Sequence, residues 1–117
     1  MRGAMHAQPV DRFATVNGLR IHYLDWGTSG RQPLILLHGI ARVAHTFDHL
    51  APHFGKKYHV IAVDMRGHGD SAWDPQGAYL VEDYVRDIEG VVAGVITALP
   101  QGALDLQILP DKIHVQV

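Results

Sequence analysis

The sequence predicts an α/β fold, an antiparallel hairpin followed by parallel strands with flanking helices. Three observations carry this. Residues 34–37, Leu-Ile-Leu-Leu, are an unbroken apolar run with the turn-formers Gly30 and Pro33 before it and Gly39 after it. That is the mark of a strand buried on both faces. Residues 59–63, His-Val-Ile-Ala-Val, read as a second such strand, and residues 78–99 as a long amphipathic helix. Strands covered on both faces need helices above and below a parallel sheet.

Taken in order, the chain opens with residues 13–16 and 19–24 around Asn17-Gly18, the strongest two-residue signal for a hairpin with a type I′ turn. The second arm alternates Leu19, Ile21 and Tyr23 against Arg20 and His22, which predicts a half-exposed strand at the edge of a mixed sheet. Residues 46–54 place Phe47, Leu50, Ala51 and Phe54 on one helical face. Thr46 or a neighbour would cap this helix and Gly55 would end it, with Lys56 and Lys57 at the negative end of the dipole. Pro52 inside it predicts a short or kinked helix. Residues 73–77 are loop. The helix over 78–99 turns Tyr84, Ile88, Val91, Val92, Val95 and Leu99 inward, and its Gly90 and Gly94 demand close packing. Residues 109–112 read as a turn and 113–117 as a last strand, parallel to residues 34–37. No repeat, linker or low-complexity segment interrupts the 117 residues, so one domain is expected.

Composition narrows the function classes. A formal charge of −2 provides no basic field for nucleic acid and no polybasic patch for a membrane surface. The absence of cysteine excludes disulfides, thiolate zinc sites and a cysteine nucleophile. Residues 1–9 lack the apolar stretch of a signal peptide, and the run over 91–99 is far short of the roughly 20 residues that span a bilayer. A cytoplasmic chain that neither crosses a membrane nor binds nucleic acid is the expectation.

In open α/β sheets, ligands sit beyond the carboxyl ends of the strands. Two loops leave from those ends: His38-Gly39-Ile40, and Asp64-Met65-Arg66-Gly67-His68-Gly69-Asp70-Ser71 about 25 residues on. With these two motifs the chain resembles the amino-terminal half of an α/β-hydrolase, over residues 13–87 and again at 112–117. The resemblance implies a sheet ordered as the two hairpin strands, then residues 59–63, then 34–37, then 113–117. It implies hydrolysis of a small ester or related substrate through a covalent intermediate, without a cofactor. It assigns the backbone N–H of Ile40, after His38 and Gly39, to one oxyanion donor. Asp64, Arg66, Gly67, His68, Gly69 and Ser71 become a folded support beside the site.

The remaining catalytic parts do not assemble from this sequence. The nucleophile of such a fold sits in Gly-x-Ser-x-Gly on a strand-to-helix turn. Ser29 lies before the first parallel strand, and Ser71 in Gly69-Asp70-Ser71-Ala72-Trp73 lacks the second glycine. The expectation is a single, incomplete domain over residues 1–117 with no complete catalytic set, inactive alone, whose strand at 113–117 leads toward an elbow. A non-catalytic half-domain that binds a ligand or partner is the alternative. In either case an open strand edge predicts self-association. Two further patterns read as incidental. Gly67-x-Gly69-x-x-Ala72, with Asp87 and Glu89 downstream, matches a dinucleotide fingerprint but is followed by Trp73-Asp74-Pro75 instead of a helix. His45, His49 and His53 recur at helical spacing but lack a completing shell, so no metal is expected.

Overall fold

The computed structural model describes residues 5–27 and 30–96. Strands β1 (Met5–Val16), β2 (Leu19–Gly27), β3 (Gln32–Leu37) and β4 (Tyr58–Val63) form one sheet in the order β1-β2-β4-β3. A short 3-10 turn (Ala44–Phe47) and a one-turn helix α1 (Ala51–Phe54) separate β3 from β4, and helix α2 (Val81–Ile96) follows. The sheet is mixed: β1–β2 and β2–β4 are antiparallel, and β3–β4 is parallel. This is the strand order the resemblance implied, as far as the described residues reach. Residues 97–117, with the turn at 109–112 and the strand at 113–117, lie outside them, as does Ser29.

The hairpin turns where the sequence places it. Asn17 and Gly18 both have positive φ, 50° and 78°, as a type I′ turn requires. The first arm begins earlier than residue 13, at Met5. Its extra length pairs with the end of β2 across a register shift between Met5 and Val10. Pro9 is tolerated inside β1 because β1 is an edge strand among the described residues.

Two apolar clusters cover the two faces. Leu19, Ile21, Leu37, Ile61 and Val63 meet Ile88, Val91, Val92 and Val95 of α2. Leu24, Trp26, Val60 and Ala62 meet Ala44, Phe47 and Ala51 on the other side. The second arm of the hairpin is therefore not half-exposed: β2 lies between β1 and β4, and His22 is fully buried. Residues 34–36 of β3 are only half-buried, because β3 is the outermost described strand, paired to β4 alone. Asp25 is held by Arg12 Nε at 2.6 Å, His59 Nε2 at 2.7 Å and the Gly27 N–H at 2.8 Å. Burial works to raise its carboxyl, but these three contacts outweigh it and hold Asp25 well below the usual carboxylate range. The stabilisation is full at neutral pH and is lost as the pH falls below about 4.

A continuous helix over 46–54 does not form. Proline lacks an N–H and fits only a first turn, so Pro52 sits at the start of α1 and the segment splits in two. Thr46 does not cap it: Val43 is the N-cap of the 3-10 turn and no side chain caps it. Gly55 closes α1 in ordinary right-handed geometry. His45, His49 and His53 consequently do not share a helical face. His45 instead pairs with Asp48 at 2.8 Å.

Helix α2 starts at Val81, three residues later than the sequence suggests. Leu80 N–H donates to the Asp83 carboxylate, an end contact at the first turn. The helix presses on the hairpin at Gly90, where a Cβ would stand 2.8 Å from Val16 Cγ1 and 2.9 Å from its Cβ. A Cβ at Gly94 would meet nothing within 4 Å among the described residues, so among them close packing accounts for the first glycine only. Gly90→Ala is expected to lower stability by about 1–3 kcal/mol through overpacking. Gly94→Ala should raise it by about 0.5–1 kcal/mol through helix propensity. Urea denaturation reads both, and a stabilised Gly90→Ala chain would mean that α2 does not press on β1.

Candidate functional site

Because β3 and β4 are parallel neighbours, the loops that follow them leave from the same edge of the sheet. Asp64, the first residue after β4, ties these loops together. Its carboxylate accepts from the Ala44 N–H at 2.7 Å, the Asp70 N–H at 3.1 Å and His22 Nδ1 at 2.6 Å. These donors belong to the loop after β3, the loop after β4 and the middle of β2. Burial acts to raise the Asp64 carboxyl, and the three donors overcome it, leaving the group below its ordinary range. Gly69 closes the turn over this carboxylate with φ of 50°, and a Cβ there would collide with the Asp64 side chain. Only glycine meets both demands.

His38 is buried and fixed through both ring nitrogens. The Met65 N–H donates to Nε2 at 3.0 Å, so Nε2 is the acceptor and Nδ1 carries the proton, which it donates to Gly39 O at 2.7 Å. Burial lowers its tendency to charge, opposed in part by the Gly39 carbonyl, and the net direction is downward. The neutral Nδ1–H ring thereby grips the Gly39–Ile40 peptide by its oxygen. The N–H of that same peptide, on Ile40, has no acceptor among the described residues. Ile40's side chain is 94% exposed, and Ala41 follows with φ of 61°. Left-handed geometry at a non-glycine residue costs about 1–2 kcal/mol and marks a turn imposed by its surroundings.

The other motif residues support the loop. Arg66 makes a bidentate pair with Asp87 of α2, at 2.6 and 2.8 Å, and donates to Ala78 O at 2.8 Å. The Asp87 hydrogen bonds, against a smaller opposing effect of burial, hold its guanidinium even more firmly protonated than usual. Asp87 also accepts from Asn17 at the hairpin tip, 3.1 Å away. Ser71 donates to Asp64 O at 2.6 Å and accepts the His22 N–H at 2.8 Å, so its hydroxyl is occupied and buried. His68 contacts Arg66 O at 3.0 Å, and its ring lies 4.8 Å from that of His38. Residues 67–72 are closed by successive turns, with Gly67 N–H on Ala72 O. No helix opens at the glycines, so the dinucleotide fingerprint has no phosphate-binding end.

Two of the hub's partners are invisible as site residues in the sequence. His22 looks like the exposed side of an alternating strand, and Ala44 contributes only its backbone. The one available signal was a histidine among apolar neighbours in a strand destined for the sheet interior.

The geometry has the form of the carboxyl edge of a known fold, and comparison shows which. The model of the alpha/beta hydrolase fold matches residues 32–106. Epoxide hydrolase 4 of Mus musculus is 34% identical over 77 residues, 65% of this chain and 21% of that protein. Epoxide hydrolase A of Mycobacterium tuberculosis is 32% identical over 90 residues, 74% of this chain and 28% of that protein. Among solved structures, epoxide hydrolase A from Mycobacterium thermoresistibile superposes with a TM-score of 0.70 at 29% identity, over 74% of this chain and 28% of its own. A bacterial membrane phospholipase A does so with a TM-score of 0.71 at 28% identity, over 76% and 29%. The chain belongs to the α/β-hydrolase fold family. It spans about a fifth to a third of the length of these relatives. Among the described residues no helix is long and apolar enough to cross a membrane.

Removing Arg66 leaves Asp87 buried and without its charge partner. Arg66→Ala is expected to cost about 3–5 kcal/mol, seen as a lowered urea midpoint. A loss below about 1 kcal/mol would show that the Arg66–Asp87 pair does not hold the loop to α2.

Proposed function

We propose that this chain is the oxyanion-side part of a single α/β-hydrolase domain. In this reading its working form hydrolyses a small ester, epoxide or related carbon–heteroatom substrate through a covalent intermediate. The observation that supports it is the Ile40 N–H, unengaged among the described residues and held by the His38 grip on its own peptide. As a nucleophile adds to an electrophilic carbon, negative charge gathers on oxygen, and a preoriented N–H lowers the energy of that state. Gly39 turns the chain off β3, and Asp64, Arg66, Gly67, His68, Gly69 and Ser71 brace the neighbouring loop. The nucleophile, acid and base are not supplied by the residues argued above. Ser71 in particular is engaged at both its hydrogen and its oxygen. The names of the two curated relatives favour an epoxide as the first substrate to try.

The test places this chain's matched segment into epoxide hydrolase A of Mycobacterium tuberculosis and assays epoxide opening. The chimera should turn over, and Ile40→Pro, which deletes the N–H, should lower kcat about 100-fold or more. Ile40→Ala, which keeps the N–H, should stay near the parent rate. Equal rates for the two variants would remove Ile40 from the mechanism.

An open strand edge extends the proposal to the chain by itself. Unpaired N–H and C=O groups along a strand template association, and β3 pairs only with β4 among the described residues. Size-exclusion chromatography of the purified chain is expected to show species larger than a monomer that grow with concentration. A single monomeric peak over a wide concentration range would refute this.

A further inference from the structure

His22 has a second face that the loop architecture does not use. Its Nδ1 is fixed against Asp64 at 2.6 Å, so Nε2 points the opposite way, toward Asp11 Oδ1 at 2.7 Å. One ligand atom each from Asp11, His22 and Asp70 lies within 4.8 Å of the other two, and no other such trio of His, Cys, Asp or Glu exists among the described residues. Neither Asp11 nor Asp70 is paired with a lysine or arginine among those residues. Arg12 is engaged with Asp25, and Arg20 stacks 3.7 Å above the Phe13 ring. The Asp70 carboxylate accepts no hydrogen bond from them either, although its backbone N–H is anchored on Asp64.

We propose that Asp11, His22 and Asp70 bind a divalent first-row transition cation, with Asp64 as the outer carboxylate that orients the imidazole. Metal-bound histidines characteristically donate their second ring N–H to a carboxylate, which fixes the tautomer and raises the basicity of the ligating nitrogen. Asp64 does this to His22 from a buried position. His22 is 0% exposed, so its ring is held by its surroundings before any ion arrives. Asp11, which covers Nε2, has a side chain 65% exposed and is free to swing outward to admit an ion. One imidazole nitrogen and two carboxylate oxygens suit Zn²⁺, Mn²⁺ or Co²⁺, and water completes the shell. The two carboxylates balance the charge of the ion. The site is separate from the Ile40 N–H and is joined to that loop through Asp64, which also holds Ala44.

The full chain, stripped with EDTA, is titrated with Zn²⁺ by calorimetry and with Co²⁺ by visible absorption. One equivalent of Zn²⁺ should bind saturably and raise the melting temperature, because a ligand of the native state alone stabilises it. Co²⁺ should give the absorption bands of nitrogen and oxygen ligation. Asp70→Asn, at an exposed residue whose carboxylate accepts no hydrogen bond among the described residues, should weaken Zn²⁺ binding at least about tenfold, and Asp11→Asn/Asp70→Asn should abolish it. A His45→Ala/His49→Ala/His53→Ala chain should bind as well as the parent. The proposal is overturned by failure to bind Zn²⁺, by binding that survives Asp11→Asn/Asp70→Asn, or by binding that disappears with the three surface histidines.

Discussion

Everything at the carboxyl edge of this sheet depends on one buried carboxylate. Asp64 has two oxygens and receives three donors, from β2, from the loop after β3 and from the loop after β4. A buried carboxylate is costly unless its lone pairs are met, and here one donor comes from the central strand β2 while the other two come from segments that have little else to fix them. Ala44 belongs to a 3-10 turn with no side-chain cap, and Asp70 to a run of tight turns. The exchange is mutual: the segments satisfy the charge, and the charge gives them a fixed place. Ser71 reinforces it by bridging the Asp64 carbonyl and the His22 amide.

A second anchor repeats this logic on the opposite face. Asp87 accepts two bonds from Arg66 and one from Asn17, so a single residue of α2 meets both the loop after β4 and the hairpin tip. The apolar clusters above and below the sheet supply the driving force for folding but are non-directional. The two aspartates supply the direction. Between them the His38–Gly39–Ile40 turn is held by its own internal hydrogen bond and by the Met65 amide.

How much of this was legible in the sequence followed the range of each interaction. The Asn17-Gly18 turn, the strand runs at 34–37 and 59–63 and the inner face of α2 are local patterns, and all of them formed. The strand order followed from the resemblance, since no periodicity specifies which strands become neighbours. What escaped was non-local. Alternation along residues 19–24 assigns His22 to solvent, and its place between β1 and β4, against Asp11, Phe13 and Asp64, reverses it. The extension of β1 to Met5 depends on pairing with the far end of β2. Pro52 did announce that the helix would be short, but not that Ala44 and Ala51 would begin two separate turns. The Ile40 N–H, a backbone donor that leaves no mark in composition, was assigned by the resemblance alone.

The hairpin also sets an order of events during folding. Its two strands meet across two residues and need almost no loop closure, a process of about 1–10 μs for an isolated hairpin. Each remaining pairing joins segments far apart in the chain, Tyr23 with Val63 and Gln32 with Tyr58, and must overcome a larger entropy of closure before any contact rewards it. The ribbon of β1 and β2 therefore exists early, with the inner edge of β2 bare until β4 arrives. That interval, in which a preformed edge waits for a distant partner, is when a second nascent chain can take the place of β4.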